Sequence, residues 1–188
     1  MLIADRKNIL RKEILSSRKN FDVLKNEASN KVIYRNILTL LNNLALLNDV
    51  IGIYWPIRGE PDLLKLLVEL RRTICLPRIN AAEICFVPYI LGSGLERYGK
   101  TEIYQPVLAQ EIIPKIVIVP AFGFSIDGYR LGFGKGHYDK YLTKIKQDNS
   151  LIAIGACFHE NLFERLPVDQ YDYKMDYIVT DQLMIRLA

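Results

Sequence analysis

The densest group of chemically useful side chains in this 188-residue sequence is Asp127-Gly128-Tyr129-Arg130-Leu131-Gly132-Phe133-Gly134-Lys135-Gly136-His137-Tyr138-Asp139. Glycines at 132, 134 and 136 let backbone N–H groups turn inward and approach a phosphate closely. Arg130 and Lys135 add full positive charges, and the N-terminus of a helix expected from about Tyr138 adds a partial one. That is the chemistry of a polyanion cradle. The Walker spacing G-x-x-x-x-G-K-[ST] is absent, because Gly136 follows Lys135. The dinucleotide spacing G-x-G-x-x-G is absent too, because His137 is sixth from Gly132. A plainer reading is a tight turn with Asp139 capping the helix. Five polar or charged side chains around three glycines favour the cradle, since such a cluster is costly without a polar ligand.

A second cationic feature lies at the start of the chain. Residues 1 to 25 hold seven of the 25 basic residues and three of the 21 acidic ones, so the whole net charge of +4 sits there and the rest balances. A phosphate-bearing partner is the natural inference. Lys7 and Arg11 are four apart on one helix face, where like charges cost a few tenths of a kcal/mol unless an anion joins them. A solvated basic face is the alternative, and Lys12, Arg18 and Lys19 read as solvated surface. A nucleic-acid-binding module is disfavoured, because this stretch lacks interleaved aromatics for stacking on bases. Cys75, Cys85 and Cys157 each sit in an apolar run without C-x-x-C spacing, which reads as buried reduced thiols.

The elements that must position these groups follow from periodicity. Residues 5 to 20 read as a helix with Ile9, Leu10, Ile14 and Leu15 on one face. A second helix is expected from about Asn30 to Leu47, with Ile33, Ile37, Leu40, Leu41 and Leu44 inward and Asn48-Asp49 as its break. Val50 to Tyr54 reads as a buried parallel strand, Asp62 to Arg72 as a helix begun at Pro61, and Thr73 to Leu76 as a strand closed by Pro77. Further strands are expected at Ile84–Val87, Ile116–Val119, Leu151–Ala156 and Tyr177–Thr180, with a helix over Tyr138–Lys146. Residues 88 to 114 carry four prolines or glycines early and two prolines late, and read as a long functional loop with short extended pieces. Residues 159 to 175 read as loop with a short helical piece near Leu162 to Leu166. Strands alternating with helices predict an α/β class: an open, mainly parallel sheet flanked by helices, Rossmann-like in its three layers, with an N-terminal helix and a long central loop, in one domain over 1–188. No apolar run approaches a membrane span, and the first residues lack the apolar segment of a secretory leader. A cytoplasmic monomer is the expectation.

The run Arg130-Leu131-Gly132-Phe133-Gly134-Lys135-Gly136-His137-Tyr138-Asp139-Lys140 resembles the signature of the 5-formyltetrahydrofolate cyclo-ligase (methenyltetrahydrofolate synthetase) family. Lys7-Asn8-Ile9-Leu10-Arg11 resembles the family's N-terminal element, Tyr54-Trp55-Pro56-Ile57-Arg58-Gly59-Glu60 its folate-side loop, and Tyr171-Asp172-Tyr173-Lys174-Met175-Asp176 its late acidic element. His137 stands where the family usually has a tyrosine. The resemblance implies ATP-dependent cyclisation of 5-formyltetrahydrofolate to 5,10-methenyltetrahydrofolate, with small-molecule substrates only: ATP and a reduced folate. It implies ATP contacts from Lys7, Arg11, Arg130, Gly132, Phe133, Gly134, Lys135, Gly136, His137, Tyr138, Asp139 and Lys140. Trp55, Glu60 and Tyr138 would meet the folate, Arg130, Lys135 and Tyr138 would serve catalysis, and Asp139 with Asp176 would hold Mg²⁺. Another sugar-phosphate or coenzyme A enzyme on a related sheet is the alternative function.

Overall fold

The structure, a computed structural model, describes residues 2–18, 23–46, 49–57, 59–64, 73–80, 83–90, 92–107, 110–148 and 151–187. In chain order its main elements are α1 (Ile3–Ser17), α2 (Val23–Asn43), β1 (Ile51–Gly52), β2 (Ile74–Asn80), β3 (Glu83–Tyr89), β4 (Leu95–Arg97), β5 (Tyr104–Pro106), β6 (Ile116–Val119), β7 (Gly123–Ser125), β8 (Arg130–Leu131), α3 (His137–Asp148), β9 (Ile152–Ala156), β10 (Leu162–Phe163), β11 (Tyr177–Val179) and β12 (Met184–Arg186). The expected helix from Asp62 to Arg72 falls mostly outside the described residues, as do Arg58 and Lys19.

Ile116-Val117-Ile118-Val119 is buried on both faces, and four β-branched residues in succession favour a central strand there. It lies mid-sheet in the order β12-β11-β9-β6-β1-β2-β3. The run from β11 to β2 is parallel, and β12 and β3 close the two edges antiparallel. The mainly parallel α/β sheet is therefore as expected from the sequence. Ile33, Ile37, Leu40 and Leu41 of α2 pack with Ile51, Ile116, Ile118 and Ile154 in one core layer. Leu142 and Ile145 of α3 join Val117, Val119, Ala153 and Ile178 in the other.

Several boundaries differ from expectation. β2 does not stop at Pro77. It runs to Asn80, and Pro77 faces Phe86 of the antiparallel partner β3. Proline is tolerated because β1 accompanies β2 only at Ile74 and Cys75, so β2 has no main-sheet neighbour on that side at Pro77. α2 ends at Asn43, before the expected Leu47. Ala45 takes φ 54°, its N–H bonds the Asn42 carbonyl, and the Leu46 N–H bonds the Leu41 carbonyl. This is a Schellman closure with alanine where glycine is usual, helped by burial of Leu46. The helical piece expected near Leu162 to Leu166 is instead a 3₁₀ turn at His159–Asn161 followed by β10, which pairs with β7.

α1 presents the largest surprise. Ile9 and Leu15, expected inward, are exposed, whereas Lys7, Ile14 and Arg18 are buried. At 100° per residue, positions 7, 11, 14 and 18 fall within about 60° of one another. The inward stripe of α1 is thus mostly cationic, and Arg18 is not solvated surface.

The sheet's middle is packed without slack. A Cβ on Gly155 in β9 would lie 2.7 Å from both Phe124 Cδ1 and Ile178 Cδ1. We expect Gly155→Ala to lose roughly 1–3 kcal/mol by overpacking. A urea melt should show a lower midpoint with an unchanged slope.

Candidate active site

β1 and β6 are adjacent parallel strands, yet the chain leaves them in opposite directions: β1 leads to β2 on one side and β6 leads to β9 on the other. Such a reversal opens a crevice at the carboxyl ends, where α/β sheets bind ligands. Three segments border it: residues 53–57 and 59–60 after β1, residues 120–122 after β6, and the glycine loop between β8 and α3.

The glycine loop is built as a turn that only glycine makes cheaply at two points. Gly134 has φ 91° and Gly136 φ 67°, both left-handed. Phe133 at its tip is half exposed and packs at a tilt against Phe122, with ring centroids 4.4 Å apart. Lys135 and Lys140 are exposed. His137 is half-buried, and burial followed by Lys140, Lys135 and Arg130 pulls its pKa below the ordinary value. It is therefore a neutral imidazole near pH 7.

Arg130 and Asp139 pair across the loop, Nη2 to Oδ2 at 2.7 Å, with side-chain exposures of 6% and 15%. The Tyr173 N–H donates to Asp139 Oδ1 at 3.3 Å. On the outer side Arg11 Nε donates to the Gly132 carbonyl at 2.7 Å. Burial, with Arg130 adding to it, lowers the Arg11 pKa, and Asp172 opposes the shift. Lys7 Nζ donates to Asp169 at 2.8 Å and to Asp172 at 2.5 Å. Burial alone would lower the Lys7 ammonium, but the two carboxylates outweigh it and hold its pKa raised. With two of its three donors engaged, Lys7 keeps one for another acceptor. Asp169 is not among the expected residues, and Asp172 is expected only as part of the late acidic element. The Asp172 carboxylate also accepts the Asp169 N–H and so closes a turn.

Asp176 is not brought to this loop. Lys146 holds its Oδ1 at 3.1 Å and the Ala153 N–H holds Oδ2 at 2.8 Å. Lys146 lies seven residues beyond Asp139 on α3, about 10 Å along the axis. The two expected magnesium carboxylates thus sit at opposite ends of one helix. Among the described residues no group of three His, Cys, Asp or Glu is placed to hold a metal.

The folate-side loop carries the more unusual chemistry. Glu60 is 5% exposed. Its Oε2 accepts the Ile57 N–H at 3.1 Å, while Oε1 has no partner. Burial pushes its pKa up to about 8, against the opposing pull of the Ile57 N–H and Arg18. The Tyr138 hydroxyl is likewise buried without a partner, and burial plus Glu60 raise its pKa. The Arg130 guanidinium lies 5.5 Å from the Tyr138 ring centroid, and Arg130 Nε is unpartnered. Trp55 is half-buried and packs at 5.1 Å between centroids against Tyr104 of β5, an aromatic partner the sequence reading missed. Tyr104 sits in the central loop region, which does contain the short extended pieces expected of it.

Arg18 completes this wall. Its Nη2 donates to the carbonyls of Ala121 and Phe122, at 3.1 and 2.9 Å, and its guanidinium carbon lies 5.0 Å from the Phe122 ring centroid. Its Nε and Nη1 are buried without partners. Of the six buried side-chain polar atoms that lack a partner among the described residues, five belong to Arg18, Glu60, Arg130 and Tyr138. Native proteins pair such atoms almost without exception, so a cluster of them around one crevice makes it the candidate ligand site. The cysteines stand apart from this chemistry: burial pushes Cys75, Cys85 and Cys157 up to about 12, 11 and 12, so they are thiols.

The family model described as the 5-formyltetrahydrofolate cyclo-ligase family matches residues 3–181. The 5-formyltetrahydrofolate cyclo-ligase of Mycoplasma pneumoniae is 26% identical over 181 residues, covering 94% of this chain and 99% of that protein. That of Escherichia coli is 28% identical over 141 residues, 69% of this chain and 76% of its own length. The NMR structure of Aquifex aeolicus 5,10-methenyltetrahydrofolate synthetase superposes with a TM-score of 0.82 at 30% identity, covering 96% of this chain and 92% of that one. With a family model matched over nearly the whole chain and the fold shared at a TM-score of 0.82, this chain belongs to the 5-formyltetrahydrofolate cyclo-ligase family.

Proposed function

We propose that the crevice between β1 and β6 holds ATP on its glycine-loop side and a reduced folate on its Glu60 side, and that the residues named above divide accordingly. The activity is that of the family: ATP-dependent conversion of 5-formyltetrahydrofolate to 5,10-methenyltetrahydrofolate, with ADP and phosphate released. The observation supporting this division is the set of unpartnered buried atoms on Glu60, Tyr138, Arg130 and Arg18 directly beside a phosphate-type loop.

A formamide oxygen is a poor leaving group. When it attacks the γ-phosphorus of ATP, an O–P bond forms, the bond to the β–γ bridging oxygen breaks, and ADP leaves. N10 then bonds to the formyl carbon and loses its proton. The C–O bond breaks with phosphate as leaving group, closing the five-membered ring. Neither step needs a protein nucleophile. Both need in-line placement and neutralised charge. Lys135, Arg130, Arg11 and the free donor of Lys7 supply cations around the triphosphate, and the N–H groups of 132–136 with the α3 N-terminus supply dipoles. Phe133, His137, Tyr138 and Lys140 complete the nucleotide side. Tyr138 also faces the folate, with Trp55, packed at a tilt on Tyr104, as an aromatic wall and Glu60 accepting from the pterin's ring N–H and amino donors.

Mg²⁺ fits at one protein ligand. Asp139 uses one bond on each oxygen and retains lone pairs, and magnesium is commonly held by one or two carboxylates with nucleotide phosphates. Asp139 would hold the ion, which would neutralise phosphate charge. Asp176 is too far along α3 to share it. The reading further includes a single-domain monomer in the cytoplasm without nucleic-acid or membrane partners. No described helix is long and apolar enough to cross a membrane.

The test is absorbance of the methenyl product in a mixture of protein, Mg·ATP and 5-formyltetrahydrofolate. We expect turnover that stops when either substrate is withheld. A thermal shift should accompany it: a ligand at 100 times its Kd stabilises by about 2.7 kcal/mol. Stabilisation by coenzyme A or a sugar phosphate, with none from Mg·ATP or the folate, would sink the assignment.

A further inference from the structure

Arg18 is not in the glycine loop, the N-terminal Lys7–Arg11 pair or the folate-side loop, yet it is a buried cation of the crevice. It is 8% exposed and reached from the end of α1. Its stem lies against Gly59, where a Cβ would come within 2.8 Å of Nε and 2.9 Å of Cγ. Gly59 has φ 84°, so the turn that delivers Glu60 is shaped for a glycine, and a side chain there would also collide with Arg18. The guanidinium is fixed from its far side by the carbonyls of Ala121 and Phe122 and by the Phe122 ring. Arg18 therefore bridges the two segments that leave β1 and β6, at the reversal in strand order.

Structural bridging accounts for Nη2 alone. Nε and Nη1 remain buried and unpartnered, and so does Oε1 of the neighbouring Glu60. The two residues act on each other through space, yet these atoms do not bond each other. A buried charged fork with idle donors next to a buried carboxyl with an idle acceptor is a donor–acceptor pair awaiting its complement. The complement is a ring edge that carries a donor beside an acceptor. In a reduced folate that edge is the lactam of the pyrimidine ring, N3–H next to the C4 oxygen.

We propose that Arg18 is a substrate-binding, specificity-determining residue that donates to the 4-oxo group of the pterin while Glu60 accepts from the adjacent ring N–H, so that the pair reads the lactam edge. This rests on the reading of Glu60 as the pterin acceptor. The pair would reject a pteridine with an amino group at C4. That change puts a donor against the Arg18 donors and removes the N3 hydrogen that Glu60 needs. Sites built to bond a polar group discriminate strongly against analogues that lack it.

Calorimetry with 5-formyltetrahydrofolate and its 4-amino-4-deoxy counterpart tests this on the full chain. The wild-type protein is expected to bind the 4-oxo compound at least 30-fold more tightly. In Arg18→Met, which keeps the stem and loses the fork, the ratio should fall below about threefold, mainly by weaker binding of the 4-oxo compound. Mg·ATP affinity should stay within twofold. A residue that merely braced the two segments would weaken both folates alike. Equal wild-type affinities overturn the inference, and so does a ratio preserved in Arg18→Met. If Arg18→Met does not fold, Arg18→Lys, which keeps a charge but one donor position, decides: an intermediate ratio supports the inference and an unchanged one overturns it. Binding of neither folate, with Mg·ATP bound normally, is a different result, because it removes the pterin reading of Glu60 and this inference with it.

Discussion

Lys135→Ala should lower ATP-dependent turnover by about 10²- to 10³-fold, the loss typical of removing one preorganised charge stabiliser, and leave the melting temperature nearly unchanged. The second half of that expectation comes from the structure. Lys135 is exposed at the tip of the glycine loop and makes no ion pair within 4 Å among the described residues. Nothing in the fold depends on it. Asp139→Ala offers the contrast. It would strip the buried Arg130 guanidinium of its carboxylate, and breaking such a pair costs about 3–5 kcal/mol. Lost turnover in that variant would mix lost folding with lost chemistry. Lys135 therefore isolates the cradle's electrostatics, read as kcat/KM beside a melt. A rate within threefold of wild type would remove Lys135 from the phosphate site.

What the sequence made legible followed from length and pattern. Ile116–Val119 was readable to the residue because four β-branched apolar positions admit one interpretation inside a sheet. The inward face of α2 was readable from Ile33, Ile37, Leu40 and Leu41, which repeat at helical spacing over two turns. The three-stranded sheet β10-β7-β8 was not, because its strands have two or three residues and no periodicity can register in so few. The glycine loop announced itself by composition. Arg18 did not, because a lone basic residue at a helix end normally reads as solvated. The missed signal was its phase: Arg18 follows Lys7 and Arg11 on one stripe, and apolar moment analysis is blind to a stripe that faces inward while charged. Asp176 was misplaced for a related reason. Its position before β11 puts it at a strand's amino end, where Lys146 and the Ala153 N–H take both oxygens, and the ligand crevice lies at the carboxyl ends.

Glu60→Gln should have opposite effects on stability and on folate binding, and pH separates them. Burial raises the Glu60 carboxyl from 4.5 to about 8. Between those values the folded chain holds a proton that the unfolded chain has released. Stability linked to the protonated carboxyl is fully present below about pH 4.5, falls as pH rises at about 1.4 kcal/mol per unit, and is gone above about pH 8. Glutamine has the same shape and no proton to lose. The variant should lack this slope and exceed wild type in stability most clearly at pH 8 to 9. Folate affinity should move the other way. A carboxylate that accepts from N3–H must be ionised, so wild-type KM for 5-formyltetrahydrofolate should fall about tenfold per unit from pH 6 towards 8. In Glu60→Gln the KM should be flat with pH and, at pH 8, 10- to 100-fold higher, the scale of a lost charge-assisted hydrogen bond. Chemical melts and initial rates across pH 5.5 to 9 give both curves. A variant that keeps the wild-type pH dependence of KM would show that another group receives the pterin. A wild-type stability curve without that decline between pH 5 and 8 would show that Glu60 is ionised in the free protein.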